Sequence, residues 1–306
     1  MPSPFYTVVI PTYNSARTLQ NALDSVYIQS FDDIEILIID GLSNDGTTDI
    51  IRDNSGRKAG IRFISEKDKG VYDAFNKALV MAKGEWIYFL GSDDRLHNGH
   101  VLQKVFDKMQ EQDGDILYGN VLFANSKKPY DGPFSLGKLL ERNISHQAIF
   151  YNKRIFKLLG GYNTRYKIMS DWEFNLRCFS HAGFKEIFLD LVIADFAVEG
   201  ISSQMDVLFL REVIIPEKLR RMNTMDPGQY LRKISMYDSC WRLLRNAKIR
   251  TIAELAHFTQ GQSLPNVFMK MLTHQSKISP ELLKNGFISK SCMFMSWLAN
   301  RINRSL

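Results

Sequence analysis

The sequence predicts an α/β protein: a mixed central sheet with helices on both faces, followed by a helical C-terminal region. Three observations predict it. Strand-like apolar runs alternate with helical repeats through about the first 95 residues, the pattern of a mostly parallel, doubly wound sheet. The run Trp86-Ile87-Tyr88-Phe89-Leu90 holds no charged residue and leads into Gly91-Ser92-Asp93-Asp94. It reads as a strand buried on both faces that delivers two acids to its carboxyl edge, where open α/β sheets bind ligands. Beyond residue 206 the charge changes: 16 Lys and Arg stand against 6 Asp and Glu, leaving 23 against 27 before it.

Taken in order, Tyr6 to Ile10 is a β-branched run stopped by Pro11, hence a first strand. Leu19, Ala22, Leu23 and Val26 recur at helical spacing, which predicts a helix opening near Asn14 or Ser15. Ile34 to Ile39 gives a second buried strand ending at Asp40, and Gly41 to Thr48 is loop and cap chemistry opening a short helix. Ile61 to Ser65 is a third strand. Lys67-Asp68-Lys69-Gly70 is a polar turn, after which Val71, Phe75, Ala78, Leu79 and Ala82 form one apolar helical face. The strand from Trp86 follows.

After Asp94 the pattern changes. Ile116 to Tyr118, Val121 to Phe123, Ala148 to Tyr151, Ile187 to Leu189 and Val192 to Val198 read as short strands without a regular helix between each pair. Ser170-Asp171-Trp172-Glu173-Phe174 opens a helix between them. The expected organisation is a catalytic domain over 1–206, with a donor half to about 95 and an acceptor half beyond it, and a basic, mostly helical region over 207–306. In that region Tyr230, Ile234, Tyr237, Trp241 and Leu244 repeat at helical steps beside basic residues, as do Phe294, Trp297, Leu298 and Ile302. Such stripes suit an anionic membrane surface or the pairing of two subunits.

The 306 residues exclude neither one large core nor two modest ones, and their ordinary apolar content excludes a disordered class. No run approaches a membrane-spanning length, and Met1-Pro2-Ser3-Pro4 leads straight into a strand. A cytoplasmic location follows as the expectation, with contact at the inner membrane face. Cys178, Cys240 and Cys292 are widely spaced and the six histidines form no helical doublet, so neither a disulfide framework nor zinc chemistry is indicated.

Two adjacent carboxylates repel each other unless a cation sits beside them, and hard oxygen ligands suit Mg²⁺ or Mn²⁺. Ser92-Asp93-Asp94 also suits a turn and helix cap. Four motifs, in order, carry a more specific reading: Val9-Ile10-Pro11-Thr12-Tyr13-Asn14, Ile39-Asp40-Gly41-Leu42-Ser43-Asn44-Asp45-Gly46-Thr47, Asp68-Lys69-Gly70-Val71-Tyr72-Asp73-Ala74-Phe75-Asn76-Lys77, and Ser92-Asp93-Asp94. Over roughly residues 5 to 200 the chain resembles the inverting glycosyltransferases of family 2, of glycosyltransferase A-type fold and bacterial surface-polysaccharide type.

That resemblance implies transfer of a hexose from a UDP-sugar to a glycan or lipid-linked oligosaccharide, with inversion to a β-linkage. It places Asp94 on a divalent cation and Asp93 near ribose or sugar. Pro11, Thr12, Tyr13 and Asn14 surround base and ribose, and Asp40 accepts from uracil. Many members carry a second acid where this chain has Gly41. Lys69, Asp73 and Asn76 fall in the donor site. Asp171 matches the catalytic base, with Glu173 as its substitute and acceptor contact, and His146 of Ser145-His146-Gln147 lines the acceptor pocket. A nucleotidyltransferase and a non-enzymatic nucleotide-sugar or polyanion-binding module are the rival readings; no nucleic-acid partner is expected. The nucleotidyltransferase reading lacks a basic, Gly-rich loop after the first strand.

Overall fold

A computed structural model of the chain describes residues 3–57, 60–123, 128–197, 206–214 and 217. The chain divides into two units after Asp206. In the second, only the short helical stretch from Val207 to Ile214 and position 217 are described, so the basic stripes read beyond residue 229 lie outside the described residues.

The first unit opens as expected with β1 (Tyr6–Thr12), α1 (Leu19–Tyr27), β2 (Ile34–Asp40), α2 (Thr47–Asn54), β3 (Ile61–Ser65), α3 (Val71–Met81) and β4 (Trp86–Phe89). Helix α1 starts at Leu19 rather than near Asn14, because the Ser15 carbonyl accepts the first turn's N–H groups while the Ser15 N–H and hydroxyl are engaged by Thr47 and Ser92. The strands β3, β2, β1 and β4 lie side by side in that order and all pair in parallel. The chain thus winds outward from β1 to β3 and returns to β1's other side. The order reverses between β1 and β4, and the carboxyl ends of those two strands flank a crevice.

The second part of the unit comprises β5 (Arg95–Leu96), α4 (Val101–Glu111), β6 (Ile116–Phe123), β7 (Pro129–Tyr130), α5 (Leu136–Leu139), β8 (Ile149–Asn152), α6 (Lys153–Leu159), α7 (Ser170–Ser180) and β9 (Glu186–Phe196). Strand β8 pairs antiparallel with β4 and β6, while β6 and β9 run parallel. The mixed sheet is therefore one continuous layer. Helices α4 and α6 correct the expectation of a half without regular helices between its strands.

The strands read at 116–118 and 121–123 are one strand, and those read at 187–189 and from 192 are another, which ends at Phe196. The register between β6 and β9 slips between Tyr118 and Val121. A Cβ on Gly119 would stand 2.6 Å from the Leu191 carbonyl oxygen. Glycine permits that close backbone approach, and the resulting bulge is what breaks the apolar run in the sequence.

Alternate residues of the parallel strands face opposite layers. Tyr6, Val8, Ile10, Ile36, Ile38, Tyr88 and Leu90 join α1 and α4 side chains such as Leu23 and Leu102 in one buried cluster. On the other face Phe89 meets Phe75 of α3, ring centroids 4.2 Å apart. Covering both faces explains why Trp86 to Leu90 reads as unbroken apolar sequence.

Candidate active site

The loops after β1, β2 and β4 are knitted together at the crevice. The Asn14 N–H donates to Ser43 Oγ at 2.8 Å, and Asn14 Oδ1 accepts from the Asn44 N–H at 3.0 Å. The Ser15 and Ser92 hydroxyls share a hydrogen bond of 2.8 Å. Asn14 takes a positive φ of 51°, a conformation asparagine tolerates well. Pro11 and Thr12 end β1, and Tyr13 projects beside them, 68% exposed.

Asp40 is fully buried. Thr12 and Ser43 hydroxyls donate to its Oδ1 at 3.0 and 2.5 Å, and the Ser65 hydroxyl and Ser43 N–H donate to its Oδ2 at 2.5 and 3.0 Å. Although burial alone raises its pKa, these donors together hold it below the usual carboxylate range. Its oxygens are occupied, so this acid braces the loop instead of facing an open base pocket. The space a side chain at Gly41 would fill is occupied by Asp68 Oδ2, 2.7 Å from an ideal Cβ there.

Beyond β4, a Cβ on Gly91 would run into Asp94 Oδ2 and lie 2.9 Å from Asp93 Oδ1. Glycine at this position lets two carboxylate oxygens converge over the backbone. Asp93 is exposed, whereas Asp94 is 3% exposed. The Ala197 N–H donates to Asp94 Oδ1 at 2.9 Å and Gln147 Nε2 to Oδ2 at 2.5 Å. Burial pushes the Asp94 pKa up to about 6; the Gln147 and Ala197 bonds pull it down and neighbouring Asp93 adds to the rise. A charged acid kept in so costly a place fits a cation. Among the described residues no group of three His, Cys, Asp or Glu gathers for a metal. The pair suits a hard cation completed by ligand oxygens, the usual way Mg²⁺ is held at phosphates.

The third acid, Asp171, lies in the first turn of α7 and is 9% exposed. Tyr72 OH, from α3, shares its one proton between Asp171 Oδ1 at 2.7 Å and the Ile168 carbonyl oxygen at 2.5 Å, and Asn143 Nδ2 donates to Asp171 Oδ2 at 2.9 Å. The Asn143 amide is itself oriented. Tyr151 OH donates to Asn175 Oδ1 at 2.6 Å, and Asn175 Nδ2 donates to Asn143 Oδ1 at 2.8 Å, leaving Asn143 Nδ2 to face the acid. Burial raises the Asp171 pKa to about 6, against the lowering effect of Tyr72, backbone and Asn143 bonds. That value suits a general base at neutral pH. His146 Nδ1 lies 4.0 Å from Asp171 Oδ2, and burial drops its pKa to about 4, so it stands there as a neutral imidazole rather than an ion-pair partner.

Two further sequence expectations are corrected. Glu173 pairs with Arg177 at 2.9 Å, and Arg177 donates on to the Leu159 and Gly161 carbonyls. Two residues along a helix is a rotation of about 200°, which turns Glu173 away from the face of Asp171. The Asn76 amide is spent on the Tyr162 backbone at 2.9 and 2.8 Å, a brace between α3 and the segment before α7. Asp73, in the first turn of α3, accepts from the Lys69 N–H at 3.1 Å, and the Lys69 side chain is exposed. Tyr72, Asn143 and Gln147 contribute to the site without having been singled out. Tyr72 and Gln147 stood inside motifs quoted for other residues.

Because the Tyr72 hydrogen bond holds the Asp171 pKa down, Tyr72→Phe is expected to move the acid limb of the rate profile to higher pH by about one unit. A pH series of kcat/KM checks this; an unmoved limb would remove Tyr72 from the base.

These features, a reversed-order sheet edge bearing paired acids and a separately supported buried acid, are those of an enzyme acting on ligands held at the carboxyl edge of an α/β sheet. The glycosyl transferase family 2 model matches residues 7–188, and the chain belongs to that family. It is 37% identical over 226 residues to a PGL/p-HBAD biosynthesis glycosyltransferase of Mycobacterium bovis, spanning 72% of this chain and 88% of the relative. It is 29% identical over 193 residues to the chondroitin synthase of Pasteurella multocida, spanning 60% of this chain and 20% of that protein. S. aureus TarS, solved with UDP-GlcNAc, superposes with a TM-score of 0.62 at 18% identity over 87% of this chain and 81% of its own. The mannosyltransferase PcManGT of Pyrobaculum calidifontis, solved with GDP-Man and Mn²⁺, gives 0.54 at 18% identity over 97% and 85%. The protein is thus a glycosyltransferase of A-type fold, which sets aside the nucleotidyltransferase and binding-module readings. No helix among the described residues is long and apolar enough to cross a membrane.

Proposed function

We propose that the protein transfers a hexose from a UDP-sugar to a glycan or lipid-linked oligosaccharide, with inversion to a β-linkage and with Mn²⁺ or Mg²⁺. The observation that carries this reading is the division of acids at the sheet edge: Asp93 and Asp94 converge over Gly91, while Asp171 stands apart with its own donors. Asp94, with Asp93 beside it, would hold the cation against the donor's diphosphate. When bound, the cation supplies Lewis-acid neutralisation of the departing diphosphate.

Asp171 accepts the proton of the acceptor hydroxyl as its oxygen bonds to the sugar's anomeric carbon. The bond from that carbon to the diphosphate breaks, UDP leaves with the electron pair, and attack from the opposite face inverts the centre. His146, neutral and beside Asp171, offers the acceptor a hydrogen bond without competing for the proton. Pro11 and the exposed Tyr13 line the base and ribose side, where Asp68 fills the space that Gly41 leaves open.

We take residues 1–206 as the catalytic unit. The surplus of basic residues beyond 206 supports a role in holding the enzyme at an anionic membrane face. The structural neighbour bound to UDP-GlcNAc supports a UDP-linked donor, and the relative named for PGL/p-HBAD biosynthesis supports glycosyl transfer in a biosynthetic route.

A panel of UDP- and GDP-hexoses, each with Mn²⁺, Mg²⁺ or EDTA, tests the reading by calorimetry and by release of nucleoside diphosphate. One UDP-hexose is expected to bind more tightly with metal and to turn over only with it. Binding confined to GDP-hexoses would overturn the base assignment, and turnover undiminished by EDTA the metal.

A further inference from the structure

Gln147 belongs to the short 3-10 turn His146–Ala148 that precedes β8, and it is 2% exposed. Its Nε2 donates to Asp94 Oδ2 at 2.5 Å. Its carbonyl oxygen accepts from Tyr88 OH at 2.9 Å. Tyr88 lies on β4, the strand that leads to Asp93 and Asp94, so backbone and side chain of Gln147 are tied to the same strand and its terminal acid. The distance from turn to acid is thereby fixed at two points.

The other end of the amide is a liability. Gln147 Oε1 is buried and makes no hydrogen bond among the described residues. An unpaired buried carbonyl costs about 1–3 kcal/mol, which an apolar side chain of similar volume would avoid. A glutamine retained at that cost must be needed for its donor end, and that end meets Asp94. The oxygen it holds is the one that lies over Gly91 beside Asp93 Oδ1, whereas the Ala197 N–H holds the other.

We propose that Gln147 is a positioning residue for the cation site, holding the Asp94 carboxylate so that Oδ2 stays aimed into the space it shares with Asp93. The inference rests on the cation reading given above and adds the residue that orients the ligand. Outer-shell partners of this kind typically account for about 10–100-fold in metal affinity.

The test is the gain in UDP affinity on adding Mn²⁺, measured by calorimetry against EDTA. It is run on wild type, Gln147→Met, Gln147→Asn, Asp94→Asn and the double variant Gln147→Met with Asp94→Asn. Wild type is expected to show the gain. Both Gln147 variants should bind UDP normally in EDTA and lose about tenfold or more of the gain. In the Asp94→Asn background, Gln147→Met should change nothing further, because its effect passes through that carboxylate.

A gain that survives in both Gln147 variants overturns the inference and leaves the cation reading intact. So does a loss of UDP affinity that is equal with Mn²⁺ and EDTA, which is what a merely structural role would give. A wild type without any gain removes the cation reading and this inference with it.

Discussion

Asp94→Asn is expected to lower transfer by about a thousandfold or more while the protein stays folded. The two halves of that result have separate physical causes. Activity falls because the neutral amide no longer offers a charged oxygen over Gly91, so the cation loses its buried ligand and the departing diphosphate its counter-charge. Folding survives because burial already works against the charge at this position, as the rise of its pKa to about 6 records.

The sign follows from proton linkage. An acid whose folded pKa lies above its unfolded value binds its proton more tightly when folded, so its contribution to stability is present below the unfolded pKa and is lost as pH rises toward 6. At neutral pH the wild type carries that cost and Asp94→Asn does not. Thermal unfolding at neutral pH should therefore give the variant a Tm equal to or above the wild type, measured beside transfer assays with Mn²⁺. Full activity in the variant would remove Asp94 from the cation site.

Asp171→Asn is expected to separate binding from turnover. The asparagine keeps the buried volume and accepts from Tyr72, while its Nδ2 meets the Asn143 donor, a cost that falls on stability and not on the donor site, so nucleotide-sugar affinity with metal should match the wild type. Without a base, kcat should fall by about 10²–10⁴-fold. The wild-type rate profile should fall on the acid side below about pH 6, where Asp171 takes up its proton. Asp94 has its pKa raised to about the same value, so the acid limb of kcat/KM belongs to both acids together. Metal-dependent binding of the sugar nucleotide isolates Asp94, because Asp171→Asn leaves that titration in place. A variant that turns over at the wild-type rate would move the base elsewhere; Glu173, locked to Arg177 on the far side of α7, is badly placed to replace it.

The repeat of apolar runs and helical faces through residue 90 predicts the parallel half of the sheet closely, because a strand covered on both faces must be apolar at every position and an amphipathic helix at every third or fourth. The placement of Asp93 and Asp94 at the sheet edge was legible for a related reason: a strand buried on both faces delivers the residues that follow it to its carboxyl end. The helix α4 and the long strands β6 and β9 were not. Gly119 and its bulge interrupt the periodicity on which such a reading depends.

Within the site, the sequence by itself determined which acids exist and where their elements end. It did not determine which polar side chains serve them. Asn76 and Glu173 match positions of interest in the chain yet are spent on Tyr162 and Arg177, and Asp40 is enclosed by hydroxyls from three strands and loops. Gln147 reaches Asp94 across 53 positions, Tyr72 reaches Asp171 across 99, and the Ala197 N–H reaches Asp94 across 103. No local propensity encodes such pairings. A strand or helix is specified by the spacing of its own residues, whereas the hydrogen bond that sets a buried acid's orientation and proton affinity exists only once the sheet has brought distant segments to one edge.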